Sequence, residues 1–258
     1  MTFSEKSQCS GCSACKYACS TGSIMMQRDE EGFLYPSIDP DTCVNCGKCV
    51  NACPIKSPHL DSAKPFTQLA CQNVNDNCRM NSTSGGMFSA IAELVLSRGG
   101  TVFAAEYGVS CRVVHSAAHK IEDLENMRMS KYVQSDMQET IAQLHSEVER
   151  DVPIFFIGTP CQTEGVLQSF AGEIPDNLFT ADLVCYGVPS PGLYDRWIES
   201  IKSKYNADVV EIRFRDKKYG YAGTNIKIVL NNGKLIEDCK EAKSFVKTMF
   251  SHIGLRPS

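Results

Sequence analysis

The chain has 258 residues, 14 of them cysteine, and a formal net charge of −4 at pH 7. That charge does not suggest a nucleic-acid surface, and no apolar run approaches the roughly 18–20 residues that span a bilayer. The start, MTFSEKSQ, has no apolar core of the secretory kind, so the sequence reads as cytoplasmic, where dense cysteines mean metal or catalysis rather than disulfides.

The first element is CSGCSACKYAC, Cys9 to Cys19, and its spacing returns in CVNCGKCVNACP, Cys43 to Pro54. Structural zinc sites pair two C-x-x-C knuckles across a dozen or more residues. Here a third cysteine follows each knuckle at once and a fourth comes three residues later, which is the bacterial ferredoxin run. Two [4Fe–4S] clusters are predicted. Because the fourth cysteine of each run serves the other cluster, Cys9, Cys12, Cys15 and Cys53 are assigned to one, and Cys43, Cys46, Cys49 and Cys19 to the other. Gly11, Ser13, Ala14 and Gly47 suit chain wrapped closely around a cluster. Pro54 follows Cys53 as the motif asks, while Ser20 stands in that place in the first run.

Between the runs, SIMMQRDEEGFLYPSID predicts two short strands around Asp29–Gly32. Residues 1–57 are therefore read as an α+β, ferredoxin-like unit whose clusters hold it together. Residues 58–81, polar and containing Pro58 and Pro65, read as a linker. Residues 82–258 alternate. A helix is predicted in SGGMFSAIAELVLS, with Met87, Ile91, Leu94 and Val95 at helical spacing and Ser82, Thr83 or Ser84 as cap. Strands follow in TVFAAEY and CRVVHSAAH, a helix in DMQETIAQLHSEVER, a buried strand in VPIFFIG and a helix in PCQTEGVLQSF. LFTADLVCYG predicts a strand, SPGLYDRWIESIKSKY a helix, VVEIRFR and NIKIVLNNGKLI strands, and EAKSFVKTMFSHI a last helix. Such alternation argues an α/β domain with a mostly parallel or mixed sheet.

Several short stretches are candidate sites. Ser82–Gly86 opens a helix with small residues, an anion site for a flavin pyrophosphate or a carboxylate, or an ordinary cap. In FIGTPCQ, Cys161 follows a buried strand at a helix start, where the dipole favours thiolate. Nucleophile, metal ligand and buried packing residue all remain open for it. Cys185 in LVCYGVPSP repeats the design, and the two would share a metal site if their strands are neighbours. Lys131 and Tyr132 stand in the loop SKYVQS, where the lysine would stabilise a reduced flavin ring or be solvated. The basic stretch RFRDKKYGYAG would meet phosphates or an acidic partner, or lie on a wet face. His115, His119 and His145 show no ligand spacing, and Cys71, Cys78, Cys111 and Cys239 read as structural.

The ordered set of a two-cluster head, then SGGMFSAIAELVL, SKYVQS, GTPCQ and LVCYGVPSP, resembles the coenzyme F420 hydrogenase/dehydrogenase beta-subunit family over nearly the whole chain. The resemblance implies an oxidoreductase with FAD as well as iron–sulfur clusters. It would pass electrons to a soluble carrier or a small-molecule substrate, a deazaflavin-type coenzyme or another conjugated compound. The alternative is an electron-relay subunit whose chemistry resides in a redox partner protein. The resemblance implies that Ser84, Gly85, Gly86, Lys131 and Tyr132 lie near FAD, and that Thr159, Cys161 and Gln162 belong to the redox centre. Relatives continue into a further cysteine-rich segment, whereas this chain stops at GLRPS. A truncated chain is therefore expected, with Cys161 and Cys185 supplying half the ligands of a third [4Fe–4S] cluster. No catalytic residue follows from the sequence.

Overall fold

The computed structural model describes residues 6–58, 67–221 and 225–257. Residues 1–5 of the expected head, 59–66 of the expected linker and 222–223 of the basic stretch lie outside the described residues.

Short pieces build the head. Helix α1 (Ala14–Ala18) leads to strand β1 (Ile24–Arg28), which pairs antiparallel with β2 (Leu34–Ile38), and α2 (Lys48–Asn51) follows. The strands flank Asp29–Gly32 as expected. Asp29 Oδ1 accepts the N–H groups of Glu31 and Phe33 at 3.1 and 2.9 Å, which forms the turn. Gly32 sits at φ +85°, and a Cβ there would lie 2.7 Å from the Gly192 nitrogen. The turn is seated on the chain at 190–192, where Ser190 Oγ and the Gly192 N–H both donate to the Glu31 carbonyl, at 2.7 and 2.8 Å.

In the stretch expected as linker, α3 (Asp76–Met80) is capped by Asn75, whose side chain accepts the Cys78 N–H. Next come α4 (Met87–Ser97), β3 (Thr101–Tyr107), β4 (Val113–Ala118), α5 (Leu124–Met127), α6 (Thr140–Val148), β5 (Ile154–Gly158), α7 (Pro160–Gln168) and β6 (Leu178–Asp182). The mixed sheet runs β4-β3-β5-β6, antiparallel between β3 and β4 and parallel elsewhere. Strand alternation divides its core in two. Ile154 and Phe156 pack with Phe103, Ile141, Leu144 and Val166, while Phe155 packs with Ala92, Val95, Leu96 and Val102. A strand buried on both faces reads as a continuous apolar run, as β5 does.

Helix α4 departs from expectation at its start and on its face. Gly86, at φ +77°, is its N-cap and no side chain caps it, so Ser82, Thr83 and Ser84 do not take that role. Its buried face is Ser89, Ala92, Val95 and Leu96, whereas Met87, Ile91 and Leu94 are exposed. Small residues at 89 and 92 let the helix lie close to the sheet, and apolar spacing alone does not reveal that preference.

The last elements are α8 (Pro191–Tyr205), β7 (Val209–Asp216), β8 (Asn225–Leu230), β9 (Leu235–Glu237) and α9 (Lys240–Phe250). Their strands form a separate antiparallel sheet, β7-β8-β9. Trp197 of α8 stacks on Phe245 of α9 and Phe214 of β7, at 5.2 and 5.8 Å between centroids. Among the described residues no helix is long and apolar enough to cross a membrane.

Candidate metal centre

The two cysteine runs share one backbone twist. Positive φ occurs at Gly11 and Ser13 around Cys12, and again at Asn45 and Gly47 around Cys46. Ser13 then caps α1 and Gly47 caps α2. Left-handed residues alternating with ordinary ones turn successive N–H groups to one side, the concavity that binds iron–sulfur sites. In the first run the N–H groups of Gly11 and Ala14 hydrogen-bond the sulfurs of Cys9 and Cys12.

Cys9, Cys12, Cys15 and Cys53 line one recess together with Ser10, Gly11 and Met26. All four are buried. Burial pushes the Cys12 thiol up to about 12, with Cys161 and Cys53 nearby adding to the rise, and it pushes Cys15 to about 12 as well. Thiols so placed ionise only against positive charge, which bound iron supplies. The other four are more open. Cys46 is exposed and Cys19, Cys43 and Cys49 are half-buried. Cys19 and Cys49 pack against the same small core of Cys15, Ile24 and Met26. Burial raises the Cys19 thiol, but Thr21 and the N–H groups of Ser23, Thr21 and Ile24 hydrogen-bond it and the net direction is down. Among the described residues no three His, Cys, Asp or Glu side chains converge on a single ion.

Helix α7 abuts the first recess. A Cβ on Gly165 would lie 3.0 Å from both Cβ and Sγ of Cys12. At the helix start, Thr159 and Gln162 form a capping box. The Thr159 hydroxyl donates to Gln162 Oε1 at 3.1 Å and lies 3.2 Å from Cys161 Sγ. Gln162 Nε2 donates to Ser135 Oγ at 2.8 Å, and that hydroxyl meets His115 Nδ1 at 2.6 Å. His115 Nε2 is 2.9 Å from the Ile157 carbonyl. A carbonyl only accepts, so Nε2 carries the proton and Nδ1 accepts from Ser135. Burial holds His115 neutral, down to about 4. Its spacing in the sequence carries no signal of this network.

The expected flavin residues come together only in part. Thr83 Oγ1 accepts the Ser130 N–H at 2.8 Å, which joins the 82–86 loop to the loop of Lys131 and Tyr132. Yet the chain itself uses these residues. A Cβ on Gly85 would lie 2.7 Å from the Cys71 carbonyl, and one on Gly86 would lie 3.1 Å from Asn73 Cβ. Ser84 gives its carbonyl to Lys217 Nζ at 2.6 Å. Lys131 is not solvated: Nζ donates to the carbonyls of Met127, Arg128 and Met129 at 3.1, 2.7 and 3.2 Å. Burial pulls it down to about 7, while Glu106 favours its charge. The Tyr132 ring packs 5.0 Å from Phe214. Ser84, Lys131 and Tyr132 are thus each engaged by neighbouring groups of the fold.

Cys161 and Cys185 do follow neighbouring strands, since β5 pairs with β6. Cys185 lies beyond β6 in an exposed stretch where Val184 is open to solvent. Of the cysteines without a motif, Cys78 and Cys111 are buried, Cys239 accepts the Ala242 N–H at the start of α9, and Cys71 is exposed. The basic stretch turns partly inward, with Lys217 buried and Lys218 2.6 Å from Glu237. Arg256, a lone arginine in GLRPS, was invisible to spacing, and it is buried against Cys9.

Known proteins share these parts. A family model of the 4Fe–4S dicluster domain matches residues 8–57, and a second dicluster model matches residues 35–86. Residues 152–249 match the family model for the C terminus of the beta subunit of coenzyme F420 hydrogenase/dehydrogenase. An uncharacterised ferredoxin of Methanocaldococcus jannaschii is 31% identical over 61 residues, which is 24% of this chain and 78% of that protein. A chain of the F420-reducing [NiFe] hydrogenase complex from Methanosarcina barkeri superposes with a TM-score of 0.47 at 16% identity, covering 68% of this chain. This chain spans 60% of the length of that hydrogenase chain.

Proposed function

We propose, from the match of residues 152–249 to the C terminus of the beta subunit of coenzyme F420 hydrogenase/dehydrogenase and of residues 8–57 to a 4Fe–4S dicluster domain, that the chain is an electron-carrying oxidoreductase subunit of that beta-subunit family. One observation supports the reading above all: Cys53 of the second run lines the same recess as Cys9, Cys12 and Cys15 of the first. These four would hold one [4Fe–4S] cluster, and Cys43, Cys46, Cys49 and Cys19 the other. A bound cluster supplies reversible one-electron transfer. The chain's part is to wall the first site from water, to offer N–H groups to its sulfurs, and to set α7 against Cys12. That contact puts the carboxyl end of β5, with Thr159 and Cys161, beside the head. The acceptor or donor is a redox partner protein or a soluble deazaflavin-type carrier.

A second reading adds FAD, favoured by the junction of the 82–86 and 130–132 loops through Thr83. Anaerobic purification with iron, sulfide and flavin quantified tests both. About eight irons per chain with matching sulfide is the expected result, and zinc without acid-labile sulfide would end the cluster reading. Stoichiometric flavin would establish the second reading and its absence would remove it. The adjacency of β5 and β6 also supports a shared site for Cys161 and Cys185. Iron beyond eight that is lost in Cys161→Ser and Cys185→Ser is its signature, and unchanged iron returns both to packing roles.

A further inference from the structure

Arg256 is 7% exposed. Its guanidinium carbon lies 5.2 Å from the centroid of the Phe33 ring and 4.6 Å from that of Tyr35. Nε donates to the Cys9 carbonyl at 2.8 Å, one terminal nitrogen to Gln134 Oε1 at 3.0 Å, and the other to the Leu34 carbonyl at 2.8 Å. That last nitrogen is 4.0 Å from Cys9 Sγ. Gly11 makes room for the group, since a Cβ there would lie 2.9 Å from the guanidinium nitrogens. The oxygen partners found among the described residues are two carbonyls and an amide, all neutral. A buried guanidinium is costly without a countercharge, and the nearby sulfur is the group able to become one.

We propose that Arg256 is the countercharge of the cluster held by Cys9, Cys12, Cys15 and Cys53 and raises its reduction potential. The inference rests on the cluster reading of the head. Reduction adds one electron to that cluster and exchanges no bond and no proton. The added negative charge is stabilised by a fixed cation in a dry site more than the oxidised state is, because charge interactions strengthen as the local dielectric falls. Net charge and hydrogen bonds to the sulfurs are among the terms that set such potentials. At the second site Cys46 is exposed and Cys19 and Cys49 are half-buried, so solvent screens charge more there.

The test is a dithionite titration with mediator dyes of the full chain, anaerobically loaded with iron and sulfide and followed by electron paramagnetic resonance. In Arg256→Gln one cluster should show at least a tenfold lower ratio of reduced to oxidised form at fixed poise, about 59 mV for a one-electron couple. The other cluster should keep its potential, and Arg256→Lys should recover much of the shift. Potentials unchanged in the Gln variant would overturn the proposal. If that variant loads one cluster only, Arg256→Met, which keeps the apolar stem between the rings, is titrated instead and judged by the same criterion. If both load one cluster, melting of the iron-free chains decides: unchanged melting supports the countercharge, while an equal loss of stability assigns Arg256 a clamping role and overturns it. Wild-type chain without acid-labile sulfide defeats the cluster reading, and this inference falls with it.

Discussion

Three buried residues show how much of the site lies in single positions. His115 is neutral and wholly enclosed, bounded by Ser135, the Ile157 carbonyl and the Phe156 ring, with Lys131 the nearby cation that disfavours its charge. Its proton affinity falls from the usual 6.5 to about 4. The unfolded chain therefore binds the extra proton across that window, and stability drops as pH falls from 6.5 to about 4. At about 1.4 kcal/mol per tenfold change in proton affinity, the full loss is about 3 kcal/mol. Denaturant unfolding at several pH values should show a shallower acid dependence in His115→Gln than in the parent chain, and parallel slopes would refute this. Gly165 is the second. A Cβ added there would lie 3.0 Å from Cys12 Cβ and Sγ, so Gly165→Leu should push α7 from the head. A cost of about 1–3 kcal/mol is expected from overpacking, with about four irons lost, and unchanged melting and iron content would contradict it. Lys217 is the third, its ammonium tied to the carbonyls of Arg79 and Ser84. No sequence pattern separates such a lysine from the wet ones beside it.

At the scale of elements, the most legible parts were those with strong local chemistry. The run VPIFFIG could only be a buried strand, and Thr-Pro-Cys-Gln after it carries its own capping box. Thr159→Ala should cost about 1 kcal/mol by removing the hydroxyl that donates to Gln162 Oε1, measured as a lower melting temperature. A variant as stable as the parent would mean that the box is idle. Less legible were elements whose form depends on distant partners. The start of α4 is set by Gly86 packed on Asn73, not by the serines before it. Its inward face follows from close approach to β3, where Ala92 and Ser89 leave no exposed surface. Alternation of strands and helices announced the mixed sheet, but the split that gives β7, β8 and β9 their own sheet depends on the aromatic core of Trp197, Phe214 and Phe245. The cysteine spacings revealed both runs, and the repeated positive φ at equivalent positions gives them one backbone form.

Across the whole molecule, the head is tied to the α/β layers at many points. Lys16 meets Glu139 at 2.7 Å, Gln134 donates to the Ser10 carbonyl at 2.7 Å, and Gln168 donates to the Ser57 carbonyl at 2.8 Å. Cys12 and Ala14 belong to the same apolar core as Phe103 and Phe156. Cluster loading should therefore stabilise the entire chain, because a group bound only by the folded state adds its binding free energy to folding. Calorimetry of loaded and iron-free chain should show the α/β layers melting at a lower temperature without iron. An α/β transition indifferent to iron would show that the head is energetically separate. That each cluster site draws cysteines from both runs is tested most directly by the iron content of the Cys12→Ser/Cys53→Ser double variant. If both residues serve one site, the double variant keeps about four irons of the parent's eight. If each run binds its own cluster, both sites are damaged at once and the variant retains almost none.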